Sequence, residues 1–117
     1  MKFLTTIKTL NPEVAKTPPQ ALVDAIIKLG LEAGARMTET GGMALAGSVT
    51  TRKGALVTDG PFTESKEFVG GYAIYELDSE AEIVEWTERF VELKRRHWPI
   101  WEGEVTILHL QTFTMPG

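Results

Sequence analysis

The residues with the clearest chemical potential lie in one short stretch, from Thr58 to Tyr72. Within it, Asp59 precedes Gly60-Pro61. Because proline fixes its own backbone angle and restricts the residue before it, the carboxylate is held on a stiff loop. A carboxylate aimed into a cleft can have its pKa raised by burial and can act as a general base. The more common role for an aspartate here is to accept backbone N–H groups in a turn. Asp59 is therefore the candidate catalytic base, with a turn residue as the alternative.

Charged side chains follow directly on this loop. Lys66 and Glu67 precede a predicted strand and are candidates for binding a charged group of a ligand, whereas Glu64 is expected to be a solvated loop residue. The alternative for Lys66 and Glu67 is a local surface ion pair, which contributes well under about 1 kcal/mol. Arg52 ends an earlier predicted strand. It is a candidate partner for a carboxylate of a substrate or second chain, or it is simply exposed before a turn.

Two glycines interrupt the next predicted strand. Glycine in a strand sacrifices packing, so Gly70 and Gly71 mark a place where another group approaches the backbone. That group is a ligand, a bulge or a closely packed helix. A nucleotide-binding loop is not indicated, because no helix begins directly after the pair and the spacing G-x-G-x-x-G does not occur. The hydroxyl of the adjacent Tyr72 is a candidate ligand donor, with an ordinary core or interface aromatic as the alternative.

The two histidines do not indicate a metal site, since the sequence contains neither a His-x-His pair nor an H-E-x-x-H motif. His97 lies at the end of a predicted helix, where the macrodipole favours positive charge, so we expect a structural role. His109 alternates with Val105 and Ile107 and is expected to face the core or the interior of a barrel. An imidazole there titrates near neutral pH and is a weak candidate for moving protons. We expect neither a metal nor a cofactor.

The composition limits the class of protein. The 117 residues, with a hydrophobic fraction of 43% and a charged fraction of 24%, predict a single globular domain over 1–117. A net charge of −4 without a basic stripe argues against a nucleic-acid partner. The absence of cysteine excludes disulfides and thiolate chemistry. No apolar run approaches the roughly 20 residues that span a bilayer, and the N-terminus turns polar too early for a signal peptide. We therefore expect a cytoplasmic protein without a membrane partner.

The apolar pattern predicts an alternation of strands and helices. The predicted elements are a strand over 2–10, a helix from Pro18 to Gly34, hairpin strands over 48–52 and 55–58 around a Lys53-Gly54 turn, a strand over 68–77, a helix from Ser79 to about His97 and a strand over 104–113. Thr17 is a candidate cap of the first helix, Gly34 its left-handed stop, and Ser79 with Glu82 a capping box for the second. Residues 35–47 are either a short strand or a loop. Trp98 and Trp101 are expected to form an apolar lid over the sheet edge or an interface anchor.

This order is typical of the ferredoxin-like α+β plait, β-α-β-β-α-β with a hairpin, in which two helices lie on one face of an antiparallel sheet. The last two predicted strands carry apolar residues on both sides, as shown by Ala73 and Tyr75 alternating with Ile74, and by Ile107 alternating with Leu108. Two helices cover only one face of a sheet. The second face is expected to meet another copy of the chain, so we predict a homodimer that forms a dimeric α+β barrel.

The central stretch also resembles a known family. It reads, in order, Thr58-Asp59-Gly60-Pro61-Phe62, Glu64, Lys66-Glu67 and Gly70-Gly71-Tyr72. This series of residues resembles the motif that characterises the YCII-related or DGPF-motif proteins, and the resemblance covers most of the chain. The resemblance implies a dimeric α+β barrel. In some members a histidine of the first helix and the motif aspartate form the proposed catalytic dyad. The first predicted helix here contains no histidine, so that dyad cannot be carried over.

Three functions stay open at this point. The first is a cofactor-independent enzyme; the resemblance implies isomerisation, dehalogenation or oxygenation of small cyclic or aromatic compounds, with Asp59 as base and Tyr72, Lys66 or His109 stabilising an oxyanion. The second is a non-catalytic ligand-binding or regulatory dimer, such as the accessory partners of extracytoplasmic-function sigma factors that DGPF-type domains resemble. The third is a dimeric scaffold without a ligand. Fold does not fix function, so the choice depends on the site.

Overall fold

The computed structural model of the chain describes residues 1–61 and 68–116. The elements within these residues are, in chain order, β1 (Lys2–Thr9), α1 (Gln20–Ala33), β2 (Met37–Ala44), β3 (Ser48–Arg52), β4 (Ala55–Asp59), β5 (Phe68–Glu76), α2 (Glu80–His97) and β6 (Gly103–Leu110). A single 3-10 turn, Gly34–Arg36, joins α1 to β2.

Four strands form an antiparallel sheet in the order β2-β5-β1-β6, and both helices pack on one of its faces. Phe3 in the central strand β1 lies opposite Tyr75 on one side and His109 on the other. This arrangement confirms the predicted ferredoxin-like α+β plait. The second strand of the plait is β2. It lies within residues 35–47, the segment that the sequence predicted as either a short strand or a loop. Because β2 is an edge strand and most of its residues are exposed, it carries no alternating apolar signal.

The predicted hairpin is present, but it stands apart from this sheet. Among the described residues, β3 and β4 pair with each other and with no other strand, from Ser48 opposite Asp59 to Arg52 opposite Ala55. The turn residues Lys53 and Gly54 have φ angles of 49° and 81°. Two consecutive left-handed residues give the two-residue turn whose twist matches that of a hairpin. The hairpin is thus an insertion between the second and third strands of the plait.

Of the two predicted N-terminal helix caps, one is confirmed and the other is wrong. The Ser79 hydroxyl oxygen accepts a hydrogen bond from the Glu82 N–H at 3.3 Å, as the capping box predicts. Helix α1 ends at Gly34, whose φ of 58° is the predicted left-handed stop. The predicted start of α1 is wrong: Pro19 is the N-cap and makes no side-chain cap hydrogen bond, so Thr17 is not the cap. The reason is that a residue before proline is kept out of the helical region, so Pro18 cannot begin the helix.

Two buried clusters fix the helices on the sheet. The larger one joins β1, β5 and both helices; its buried members are Phe3, Leu29, Ala33, Tyr75, Leu77, Ile83 and Trp86. The second lies at the other end of α1 and consists of Ala15, Leu22, Trp98 and Trp101. Arg36 and Arg89 place their guanidinium groups 5.2 Å and 4.7 Å from the ring centre of Trp86. Arg89 also forms an ion pair with Glu32, which connects α2 to α1.

The face of the sheet opposite the helices, called the open face below, carries one apolar row. Leu4 lies opposite both Ile74 and Leu108, so these three side chains are neighbours across three strands. The next row towards the start of β1 contains Lys2 and Glu76 opposite each other. The open face therefore has an apolar row along its middle and both charged and apolar residues in the row beside it. The apolar area is narrower than the sequence pattern predicted.

The strand glycine Gly70 has a clear packing reason. A Cβ atom built on Gly70 would be 2.3 Å from the carbonyl oxygen of Ile7 and 3.2 Å from Cε of Met43. The group that approaches this backbone is thus the neighbouring strand β1, next to the irregularity that separates Met43 from Ala44 in the β2–β5 pairing. The approaching group is thus a neighbouring strand, beside an irregular pairing, and not the ligand or closely packed helix considered from the sequence.

Replacing Gly70 by alanine should therefore destabilise the fold. We expect the free energy of unfolding to fall by about 1–3 kcal/mol, the usual cost of overpacking. Gly30→Ala is the matched control, because the new Cβ would meet only the flexible end of Met37 at 3.3 Å. That change should raise stability by up to about 1 kcal/mol through helix propensity. Urea unfolding of both variants measures the difference, and a Gly70→Ala variant as stable as the parent would contradict the close approach.

Candidate functional site

The structure places Asp59 and Arg52 on the inserted hairpin. Asp59 is the exposed last residue of β4, and its carbonyl lies close to Gly47 at the base of the hairpin. Arg52 is exposed at the other end, next to the turn. Neither residue lines the cleft described below. Lys66 and Glu67, the other charged candidates, and Glu64 lie outside the described residues.

His109 lies far along the sheet from the hairpin. Its ring packs 5.0 Å from that of Phe3, and its Nδ1 is 3.5 Å from a carboxylate oxygen of Glu80 at the start of α2. It therefore faces the helices and not the open face. The hairpin leaves the sheet where Ala44 pairs with Phe68, whereas Phe3 and His109 align with Tyr75, so roughly 20 Å of strand separate the two positions. The structure does not bring Asp59 and His109 together within one chain.

Tyr72 is engaged by its own chain. Its hydroxyl donates a hydrogen bond to Oε2 of Glu39 at 2.6 Å, and this bond is the main cause that raises the pKa of Tyr72. The ring packs beside Gly41, where a Cβ would be 3.0 Å from Cε1 of Tyr72. Tyr72 alternates with the helix-facing Gly71 and Ala73, so its side chain lies on the open face. The hydroxyl predicted as a ligand donor thus has an internal acceptor.

A cleft of about 570 Å³ opens between the helices and the half of the sheet formed by β2 and β5. It exists because small residues occupy two neighbouring helix-facing positions of β5. Gly71 and Ala73 carry too little side chain to fill the space beneath α1. The apolar walls include Ile26, Ile27 and Leu31 of α1, Phe90 of α2, Met37 and Val105. This size and lining are typical of sites for small organic ligands.

Few polar groups of the described residues border the cleft. Three of these are hydroxyls that donate a hydrogen bond to a backbone carbonyl oxygen of the same chain. The hydroxyl of Thr5 donates to the carbonyl oxygen of Ala73 at 3.3 Å, that of Thr40 donates to Tyr72 O at 2.9 Å, and that of Thr87 donates to Ile83 O at 2.7 Å. These hydroxyls keep acceptor capacity for a ligand. Tyr75 also borders the cleft, and burial raises its pKa, so its phenol stays protonated as a donor.

Lys94 is the charged group of the cleft. Only 9% of it is exposed, and its Nζ lies 4.4 Å from the ring centre of Trp101, 5.4 Å from that of Trp98 and 5.5 Å from that of Phe90. Burial lowers the pKa of Lys94. Within residues 1–61 and 68–116, no carboxylate forms an ion pair with it. Ring faces, which attract cations, surround the ammonium in place of a counter-ion.

The two tryptophans that enclose this ammonium are held by their own contacts. The indole N–H of Trp101 donates to the Thr9 hydroxyl oxygen at 2.9 Å, and its ring covers the position where a Cβ of Gly103 would lie. Trp98 and Trp101 are both buried within the chain, whereas Ile100 between them is exposed. This agrees with a cover over the edge strand β6 and not with an exposed interface anchor.

Lys94 was not among the site residues predicted from the sequence. However, Ile83, Trp86, Phe90 and Lys94 follow one another at helical spacing, which places Lys94 on the buried stripe of α2.

Within the described ranges, no group of three or more His, Cys, Asp or Glu residues could hold a metal ion. In the same part of the chain, no helix has the length and apolarity of a membrane span.

The fold is that of a two-layer ferredoxin-like protein with a cleft between its layers. The profile of the YCII-related domain matches residues 1–94, so the chain belongs to the YCII-related family. The chain has no significant match among curated proteins.

Two solved structures share the fold. The 5-chloro-2-hydroxyhydroquinone dehydrochlorinase TftG from Burkholderia phenoliruptrix AC1100, in complex with 2,5-dihydroxybenzoquinone, is 16% identical, with 95% of this chain and 94% of that chain covered and a TM-score of 0.54. The de novo designed protein Foldit4 is 13% identical, with coverages of 95% and 100% and a TM-score of 0.52. At these identities the likeness concerns the fold.

Replacing Lys94 by methionine should leave stability at neutral pH unchanged or raise it. Methionine keeps an unbranched apolar stem against the tryptophans, and the buried charge is removed. The pKa of Lys94 is lowered from 10.5 in the folded chain, so between this lowered pKa and 10.5 the unfolded state binds more protons. Stability of the parent should therefore rise with pH in this window, and the variant should lack that contribution. Urea unfolding between about pH 7 and pH 10, with the exposed Lys16→Met as control, measures it. Equal slopes for parent and Lys94→Met would contradict the burial.

Proposed function

We propose that this chain binds a small, mainly apolar ring compound in the cleft between the sheet and its helices, and acts on it without a cofactor. The observation that carries this proposal is the cleft of about 570 Å³, with apolar walls and a small set of polar groups at fixed positions. The dehydrochlorinase with the same fold, described with 2,5-dihydroxybenzoquinone, supports a ligand of this kind. Membership of the YCII-related family is compatible with it.

The reaction that we propose is isomerisation, dehalogenation or oxygenation of such a ring. Tyr75 is the donor that stabilises negative charge on a ring oxygen, because it borders the cleft as a protonated phenol. Asp59 remains the proposed general base. Asp59 lies on the hairpin and does not line the cleft of its own chain. To reach a ligand, it must therefore act in the cleft of a second chain, or the hairpin must move. The cytoplasm stays the proposed compartment.

A second candidate function is ligand binding without turnover, as in a regulatory dimer or an accessory partner of an extracytoplasmic-function sigma factor. A specific observation favours it: α1 contains no histidine, and Asp59 and His109 lie at distant places in the chain. Since no carboxylate or histidine among the described residues borders the cleft, binding is the simpler activity.

The proposed homodimer uses the open face of the sheet. The apolar row of Leu4, Ile74 and Leu108 is a candidate centre for such a contact, with Leu108 45% exposed in the single chain. Pairing two open faces would cover both rows and give the predicted barrel.

A thermal-shift screen followed by product analysis should separate the two functions. We expect hydroxylated or chlorinated benzenes and quinols to raise the melting temperature and, if the chain is an enzyme, to be converted. Asp59→Asn should then slow turnover by about tenfold or more with little change in binding, as for loss of a general base. Asp78→Asn, at another exposed turn aspartate, is the control. Stabilisation without any conversion would support the binding protein, and the absence of both would reject the proposed function.

A charge on the open face should test the dimer. We expect the parent to sediment as two chains at micromolar concentration and Leu108→Glu to sediment as one, because a carboxylate would be buried without a partner. Ile100→Glu introduces the same charge at a residue that is 54% exposed elsewhere on the surface, and it should leave the assembly intact. A parent that sediments as a single chain would refute the dimer.

A further inference from the structure

We propose that Lys94 gives the cleft its ligand class: the site takes a compound with an apolar aromatic body and one acidic oxygen group, a carboxylate or an ionised phenol, which pairs with the Lys94 ammonium. This inference rests on the proposed function, because it assumes that the cleft binds a small molecule. It adds the charge of that molecule and the residue that recognises it.

The first support is the position of Lys94. The residue lines the cleft beside Phe90, one turn earlier on α2, while the aromatic rings of Trp98 and Trp101 enclose its head from the other side. Rings attract an ammonium through their faces but accept no conventional hydrogen bond from it, so the donors of Nζ are not satisfied by them. In the described part of the chain, Nζ has no hydrogen-bond partner, yet no fully buried side-chain nitrogen or oxygen is left unsatisfied. Nζ therefore keeps some exposed surface, and Lys94 lines the cleft.

The second support is the charge distribution. Among the described residues, Lys94 is the single ionisable cation that borders the cleft, and no aspartate or glutamate borders it. This is unusual for a chain whose net charge is −4. A cation removed from water and lacking a counter-ion carries an uncompensated desolvation cost. An anion that enters the cleft removes that cost, and the low dielectric surroundings strengthen the attraction. A neutral ligand of the same shape gains neither.

The third support is the shape of the site around this charge. The remaining walls are aliphatic or aromatic, from Ile26, Ile27 and Phe90 to Val105. A hydrophilic anion such as inorganic phosphate would leave these walls without contact. A flat aromatic acid can place its ring against them and its acidic group at Nζ. The hydroxyl oxygens of Thr5 and Thr40 remain as acceptors for further hydroxyl groups on the ring.

The simpler role of Lys94 is structural, in which its aliphatic stem covers the tryptophan rings. The two roles differ in what they demand of the side chain. A stem is replaced adequately by methionine, whereas an anion-binding group is not. They differ also in what they demand of the ligand, since only the anion-binding role distinguishes an acid from its neutral analogue.

The test uses 2-naphthoate and its neutral analogue 2-naphthamide as probes, with dissociation constants measured by calorimetry and chemical-shift perturbation on the full chain. For the parent, we expect naphthoate to bind about tenfold or more tightly than naphthamide, the advantage of a charge-assisted hydrogen bond. Lys94→Met should weaken naphthoate by that factor and leave naphthamide within about twofold, which shows that the cleft is intact. Lys94→Arg should retain most of the preference for naphthoate, and Lys16→Met should change nothing.

Each other outcome has a definite meaning. If the parent binds both probes equally, or if Lys94→Met weakens both alike, Lys94 is a packing residue and the inference is wrong while ligand binding stands. If neither probe binds the parent, and the thermal-shift screen also finds no ligand, cleft binding itself is wrong and the inference is lost with it. Chemical shifts that move on the open face and not around α1 and β5 would place the probes outside the cleft and would likewise overturn it.

Discussion

The structure depends on how α1 is held above the sheet. The helix is anchored near its end by Leu29 and Ala33 in the larger buried cluster, and near its start by Leu22 in the smaller one. Between these anchors the sheet presents Gly71 and Ala73, whose small side chains line the cleft without filling it. Interiors normally close such gaps at high packing density. Here the two anchors span the gap, so the cleft is a consequence of where large and small residues fall along β5 and α1.

The same arrangement explains why a lysine can occupy the buried stripe of α2. Trp98 and Trp101 fill the space beyond the end of α2, and Trp101 is fixed by its hydrogen bond to Thr9. They offer ring faces to Lys94 where an aliphatic cluster would leave the ammonium without any favourable contact. The cost of burying the charge is thereby reduced but not removed, as the lowered pKa of Lys94 indicates. A site that keeps such a cost in its free state gains most from a ligand that offsets it.

Local signals in the sequence predicted the fold well, whereas the site required long-range information. The Lys53-Gly54 turn, the Ser79 cap and the Gly34 stop each depend on a few adjacent residues, and each was found. The edge strand β2 lacks a comparable signal, because its exposed residues do not alternate with apolar ones. Helix α1 begins later than predicted, because Pro19 keeps Pro18 out of the helical region. The contact between Lys94 and Trp101 depends on the path of the chain between α2 and β6. Helical spacing indicates a buried position for Lys94, but no sequence pattern shows that a cleft lies beside it.

The described residues of the motif from Thr58 to Tyr72 and the cleft between sheet and helices therefore differ in physical role. Gly70 is required because the backbone of β1 leaves no room for a side chain, and Asp59 closes the base of a hairpin that stands apart from the main sheet. These residues shape the backbone between β2 and β5. Gly71 belongs to both, since it follows Gly70 in the motif and leaves the floor of the cleft open. A motif can thus mark the place of a cleft through the space that its glycines create, even where its aspartate lies elsewhere.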